Sequence, residues 1–312
     1  MKQKLKKYLI IIFLISLISI SSIGIFFGNL LYNLVIDSND SKNAIYAEYI
    51  CNDNFTQNTW LLKQSNYEDK YITSFDNLNL HAYSITNEVD TSKWVIAVHG
   101  YGEEGKLMSL EALHFYQMGY NILIPDLRGY GQSEGDYTGM GYHDRLDICS
   151  WIDNLIEEDP NCQIALYGIS MGASTVLMSS GQDLPSNVKA VISDCAYTSV
   201  NEIFDYAFDT YFNIPPFPIV NFTNLITMFR AGYSLDDTSV IKYLEKSKTP
   251  TLFIHGDSDK LIPYEMMNEL YNTVSCDKEK LLIEDGEHAT SSLADFQTYW
   301  TYVSNFLEKY FT

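Results

Sequence analysis

Positive charge is scarce in this chain: 20 Lys and Arg stand against 40 Asp and Glu, a formal charge of −20 over 312 residues. With so little to neutralise a phosphate backbone, no nucleic-acid partner is expected. Cysteine is equally sparse. The five (Cys51, Cys149, Cys162, Cys195, Cys276) form no C-x-x-C pair, so zinc and thioredoxin-like chemistry lack support. An odd, scattered count does not read as a disulfide framework, although an exterior location permits a bridge; most are expected as small buried hydrophobes. No cysteine precedes Cys51, so none is placed to carry an N-terminal lipid. Internal repeats and low-complexity tracts are absent. Charged residues make up 19%, below the roughly 25% of ordinary domains, while aromatics reach 14% with 24 Tyr and 16 Phe. That is the composition of a packed globular chain, long enough for one large domain or two small ones.

The charge is also unevenly placed. Lys2, Lys4, Lys6 and Lys7 lie in the first seven positions, no acid occurs before Asp37, and residues 8–36 carry no charge at all. About 20 apolar residues in a helix span the hydrocarbon core of a bilayer, so residues 1–36 read as a lysine tail plus one transmembrane helix. The lysines predict a cytoplasmic N-terminus and a catalytic body outside, carrying 16 basic and 40 acidic residues, or −24. A cleaved signal peptide, giving a secreted protein, is the competing reading. The apolar run exceeds the roughly 7–15 residues of a signal core, and no clean small-x-small site follows it. Residues 37–69 read as a polar linker of weak helical character.

Beyond residue 70 the pattern alternates. Two short β-like runs (71–75 and 78–85) precede continuous apolar strands at 94–98, 121–125, 163–167, 188–193, 251–254 and 280–283. Unbroken Val/Ile/Leu runs suit strands buried on both faces of a mostly parallel sheet, here of eight strands. Helical spacing appears between them, as in Ile148, Ile152 and Leu155, and again in Leu293, Phe296, Trp300, Val303 and Leu307. The fold class is therefore α/β, with helices flanking the sheet and function collected in the loops beyond the strand C-termini.

Two motifs compete in those loops. After the strand at 94–98 comes His99-Gly100-Tyr101-Gly102-Glu103-Glu104-Gly105, a G-x-G-x-x-G, with Asp126 ending the next strand about twenty residues on. That is a dinucleotide fingerprint and implies an NAD-dependent oxidoreductase using residues 100–105. Against it, Glu103 and Glu104 sit where a pyrophosphate needs the positive end of a helix dipole, and the strand is not the opening one. The second motif, Gly168-Ile169-Ser170-Met171-Gly172, is a G-x-S-x-G between a strand and a small-residue helix start. Strand, sharp turn and helix are the setting of a nucleophile elbow.

A nucleophilic serine needs a base and the base an orienting acid, in the order Ser, acid, His. Two later loops supply both: His255-Gly256-Asp257-Ser258-Asp259 and Asp285-Gly286-Glu287-His288. Among the histidines only His288 falls late on a post-strand loop. His99 and His255 read as packing beneath their loops; His81, His114 and His143 read as surface or packing residues. Asp257, Asp259 and Asp194 all remain open as the acid on position alone.

These segments, with Asp126-Leu127-Arg128-Gly129-Tyr130-Gly131-Gln132-Ser133 and His255 through Pro263, resemble the serine hydrolases of the α/β-hydrolase superfamily over roughly residues 70–312. The likeness is to the bacterial membrane-anchored branch similar to Bem46-like and serine aminopeptidase S33-like hydrolases. The resemblance implies Ser170 as nucleophile, His288 as base and Asp259 as acid, with an oxyanion hole from the backbone N–H groups of Tyr101 and Met171. It makes the G-x-G-x-x-G an oxyanion loop and requires no cofactor and no metal. An aromatic insertion at about 196–248 resembles a helical cap, for which an apolar cleft accepting acyl or aromatic groups is expected. Carboxylic-ester hydrolysis is the expected reaction on a small-molecule ester or acyl substrate; peptidase, thioesterase and amidase chemistry use the same residues, and a silent binding module is the remaining rival.

Overall fold

The computed structural model describes residues 2–38 and 60–311. It opens with helix α1 (Lys2–Val35), followed by the short helix α2 (Trp60–Lys63). Strands β1 (Glu68–Thr73), β2 (Asn79–Ile85) and β3 (Lys93–Val98) lead to α3 (Ser109–Gln117) and β4 (Asn121–Pro125). From there strand and helix alternate: α4 (Asp144–Glu158), β5 (Gln163–Ile169), α5 (Met171–Ser180) and β6 (Val188–Asp194). The insertion carries α6 (Val200–Ala207), a wide turn at Phe208–Phe212, α7 (Ile219–Arg230) and α8 (Val240–Leu244). The chain ends with β7 (Thr251–Gly256), α9 (Tyr264–Thr273), β8 (Lys278–Ile283), α10 (Ser291–Ala294) and α11 (Phe296–Tyr310).

The eight strands form one sheet in the order β1-β2-β4-β3-β5-β6-β7-β8. β1 and β2 pair antiparallel, β2 meets β4 antiparallel, and the remaining ladders are parallel. In β3, Val95 and Ala97 face one core while Ile96 and Val98 face the other, because strand side chains alternate with a period of two. One face packs Trp151, Ile152 and Leu155 of α4 with Val176 and Leu177 of α5. The opposite face packs Phe115 of α3 with Tyr299, Trp300, Val303 and Phe306 of α11. Both edge strands carry exposed charges, Glu68 and Asp69 on β1 and Lys280 on β8, which discourage edge-to-edge pairing.

Two expectations need correction. The body begins before residue 70: Leu61 of α2 is fully buried in the second core and β1 starts at Glu68. Residues 39–59 of the expected linker, with Cys51, lie outside the described residues. In the C-terminal helix the buried stripe is Tyr299, Trp300, Val303, Phe306 and Leu307, whereas Leu293 belongs to α10 and is exposed, as is Phe296. The last turns of α1 pack on the insertion, with Tyr32 and, just past the helix end, Ile36 buried in the first core.

Candidate active site

Parallel strands deliver their following loops to one edge of the sheet, and four of those loops meet there. The central one is the turn from β5 into α5. Ser170 sits in it with φ 54° and ψ −116°, a strained geometry for a side-chain-bearing residue. Its neighbours make the turn possible by having no side chain. A Cβ on Gly172 would overlap the Val98 carbonyl and come within 2.6 Å of the His99 carbonyl oxygen. One on Gly168 would lie 2.6 Å from the Ala173 nitrogen. The α5 N-terminus is thereby pressed against the end of β3, which puts Met171 beside the turn containing Tyr101.

The β8 loop brings His288 to this serine. His288 Nε2 lies 2.9 Å from Ser170 Oγ, and its Nδ1 lies 2.8 Å from Asp259 Oδ2 on the β7 loop. Asp259 Oδ1 accepts from the backbone N–H groups of Leu261 and Ile262, each at 2.9 Å. Burial raises the Asp259 pKa, but hydrogen bonds from His255 and His288 outweigh it and hold the carboxyl well below the usual carboxylate range. An ionised Asp259 against Nδ1 selects the tautomer with its proton there, leaving Nε2 as an acceptor for the serine proton.

His255, expected as packing, does more. Its Nε2 faces two acceptors, Asp259 Oδ2 at 3.2 Å and the Ile262 carbonyl at 2.9 Å, so that nitrogen carries the proton and donates. The signal available in sequence was its position four residues before Asp259. Asp194, the rival acid, faces elsewhere: Ser291 Oγ and Tyr299 OH donate to it, each at 3.0 Å. Burial pushes its pKa up to about 6. Asp257 accepts from Ser258 and from the Asp285 N–H.

The glycine loop after β3 is braced from beneath. His99 Nε2 accepts from the Leu127 N–H at 3.0 Å, so Nδ1 bears the proton and donates to the Gly100 carbonyl at 2.8 Å. Glu103 accepts from the Gly100 N–H, and Asp126 accepts from the N–H groups of Gly105 and Gln132. The remaining partner of Asp126 is His81, which is fully buried and not a surface residue. With its carboxylate turned inward to these groups, Asp126 is not presented to a ribose. Arg128 is likewise structural, bridging Asp76 and Asp147.

One trio of metal-ligand type, Cys195 with Asp259 and His288, has its ligand atoms within 4.8 Å of one another. Burial pushes the Cys195 thiol well above its ordinary value, which opposes the thiolate a metal needs. The other two are already bonded to each other, so the trio does not fit a metal.

The family model "Serine aminopeptidase, S33" matches residues 90–217, and "Serine hydrolase (FSH1)" matches 187–299. The chain is 31% identical over 222 residues to the uncharacterized protein YqkD of Bacillus subtilis, covering 70% of this chain and 72% of that one. It is 27% identical to the uncharacterized membrane protein YNL320W of Saccharomyces cerevisiae, over 77% of this chain and 79% of the other. Among solved structures, esterase Pf2001 of Pyrococcus furiosus superposes with a TM-score of 0.65 at 23% identity, over 80% of this chain and 94% of the esterase. The chain belongs to the serine hydrolases of the α/β-hydrolase superfamily.

Proposed function

We propose that the protein hydrolyses carboxylic esters bearing acyl or aromatic groups, through Ser170, His288 and Asp259. The observation that carries this is the unbroken line from Ser170 Oγ through His288 to Asp259, with contacts of 2.9 and 2.8 Å. His288 Nε2 takes the Ser170 proton as Oγ attacks the ester carbonyl carbon. The imidazolium that forms is stabilised by Asp259 and returns the proton to the departing alkoxide. Water, deprotonated by the same nitrogen, then attacks the acyl carbon; the acyl–Oγ bond breaks, the acid leaves, and His288 returns that proton to Ser170 Oγ. The backbone N–H groups of Met171, first residue of α5, and of Tyr101 hold the oxyanion. Each such donor is worth roughly 3 kcal/mol in the transition state.

Peptide hydrolysis is the second reading, favoured by the match to the aminopeptidase model. Both readings use the same Ser170, His288 and Asp259, so substrate turnover separates them. A side-by-side assay of p-nitrophenyl butyrate and leucine p-nitroanilide distinguishes them. Ester turnover lost in Ser170→Ala is the expected result; turnover of the anilide alone overturns the ester reading.

Among the described residues one helix, α1, is long and apolar enough to cross a membrane. The proposed arrangement is a single span in the cell membrane with Lys4, Lys6 and Lys7 on the cytoplasmic side and the body outside. Protease added to intact cells should then digest the body.

A further inference from the structure

We propose that the cap insertion is a second membrane-contact surface: helix α7 and the turn before it sit in the same bilayer leaflet as the last turns of α1. The proposal rests on the reading of α1 as a membrane span. The 34 residues of α1 reach about 50 Å at 1.5 Å per residue, well beyond the roughly 30 Å of a hydrocarbon core. With Lys6 and Lys7 held at the inner boundary, about twenty residues bring the outer boundary to the neighbourhood of Gly24 and Gly28.

There α7 is packed. The Phe222 side chain fills the space that a Cβ on Gly24 or Gly28 would occupy, with Phe222 Cβ 2.8 Å from the Gly28 position. Thr223 Oγ1 donates to the Gly28 carbonyl at 3.2 Å. Small residues that let two helices approach, joined by a hydroxyl bond, are the contacts that work in lipid. Farther along, Arg230 donates to Asn33 Oδ1 at 3.1 Å and lies over the Tyr32 ring. The two helices therefore run in the same direction, and the start of α7 is its deepest end.

What α7 and its leading turn leave uncovered is apolar. Phe212, Ile214 and Phe217 in the turn, and Leu225, Met228 and Phe229 on the helix, are all exposed, Phe229 by 95%. No charged side chain occurs from 210 to 229, in a body whose net charge is −24, and the run closes on Arg230. So many exposed large apolar side chains in one short stretch are unfavourable in water and are satisfied by acyl chains, with Arg230 at headgroup level. The helix that carries these side chains packs directly on α1, itself apolar and exposed, which is why lipid is the partner it fits.

The arrangement reaches the active site from two sides. The Tyr101 hydroxyl donates to the carbonyls of Leu34 and Val35, and Tyr211 in the cap turn donates to the Lys260 carbonyl beside Asp259. The site is thus held between a membrane helix and a membrane-seated cap.

The test uses the full chain in phosphatidylcholine vesicles whose lipids are brominated at mid-chain, a short-range quencher of tryptophan. Phe217→Trp and, separately, Leu225→Trp report on the cap; Ile18→Trp reports on the span and Val89→Trp on the opposite end of the sheet. The added fluorescence of Phe217→Trp and Ile18→Trp is expected to fall about twofold or more, with Val89→Trp unchanged. Leu225→Trp should follow Phe217→Trp. Quenching at Ile18→Trp without quenching at either cap position overturns the proposal while the span stands. No quenching at Ile18→Trp overturns the span reading and the proposal together. Cap tryptophans that are blue-shifted but unquenched indicate a second copy on the patch, and also overturn it.

Discussion

The Tyr101 hydroxyl donates to the Val35 carbonyl over 3.0 Å, so the turn after β3, proposed to supply an oxyanion amide, is tied to the last residue of α1. The link runs through the hydroxyl, whereas the amide belongs to the main chain. Tyr101→Phe should therefore cost about 1 kcal/mol of stability in detergent and leave kcat on a soluble ester within about twofold. A kcat loss of several orders of magnitude would mean that the hydroxyl itself acts at the reacting carbon.

His255 donates to Asp259, so its expected role is positioning, exerted through that carboxylate. Removing its donor in His255→Phe leaves Asp259 Oδ2 one partner fewer, and kcat should fall about tenfold. His255→Gln keeps a donor and should recover most of that loss. Equal kcat in the two variants, with equal loss of stability, would reduce His255 to packing.

The acid is decided by comparing two asparagines. Asp259→Asn removes the charge facing His288 Nδ1 and should lower kcat about ten-thousandfold. Asp194→Asn, whose partners are Ser291 and Tyr299, should keep activity within about tenfold. Reversal of that order would move the acid to the β6 loop.

The same two carboxyls have opposite pH signatures. Asp259 is held below the ordinary carboxylate value of 3.8 in the folded protein, so its stabilisation is complete above that pH and lost as pH falls. Between about pH 5 and about pH 3, denaturant midpoints should drop further for the wild type than for Asp259→Asn. Asp194, raised to about 6 by burial, binds its proton more tightly when folded, so stability declines as pH climbs from 3.8 toward 6. Asp194→Asn should remove that decline.

Much of this was legible in sequence because the chemistry is local. Gly168-Ile169-Ser170-Met171-Gly172 specifies its own turn, and the strand runs at 94–98, 163–167 and 188–193 match β3, β5 and β6 closely. What sequence could not reach depends on packing at a distance. The burial of Leu61 is set by α3, the inward turn of His81 by Asp126, and the duty of His255 by a loop that folds back over four residues. The exposed position of Leu293 followed from a break between α10 and α11 that helical spacing alone does not mark. The seating of α1 on Phe222 joins residues nearly two hundred positions apart, and no periodicity announces it.

The turn's tolerance is also measurable. Since a methyl on Gly172 meets backbone carbonyls and not flexible side chains, Gly172→Ala should cost more than about 3 kcal/mol or prevent folding. A folded, active Gly172→Ala protein would contradict the close approach of α5 to β3.

The central claim is that Ser170 is an activated nucleophile, and covalent trapping tests it most directly. The full chain is treated with a fluorophosphonate, digested, and the modified peptide located by mass spectrometry. The account predicts a single adduct on Ser170, absent from folded Ser170→Ala and strongly slowed in His288→Ala. An unmodified Ser170 in folded wild-type protein, or an adduct on a different serine, would contradict it.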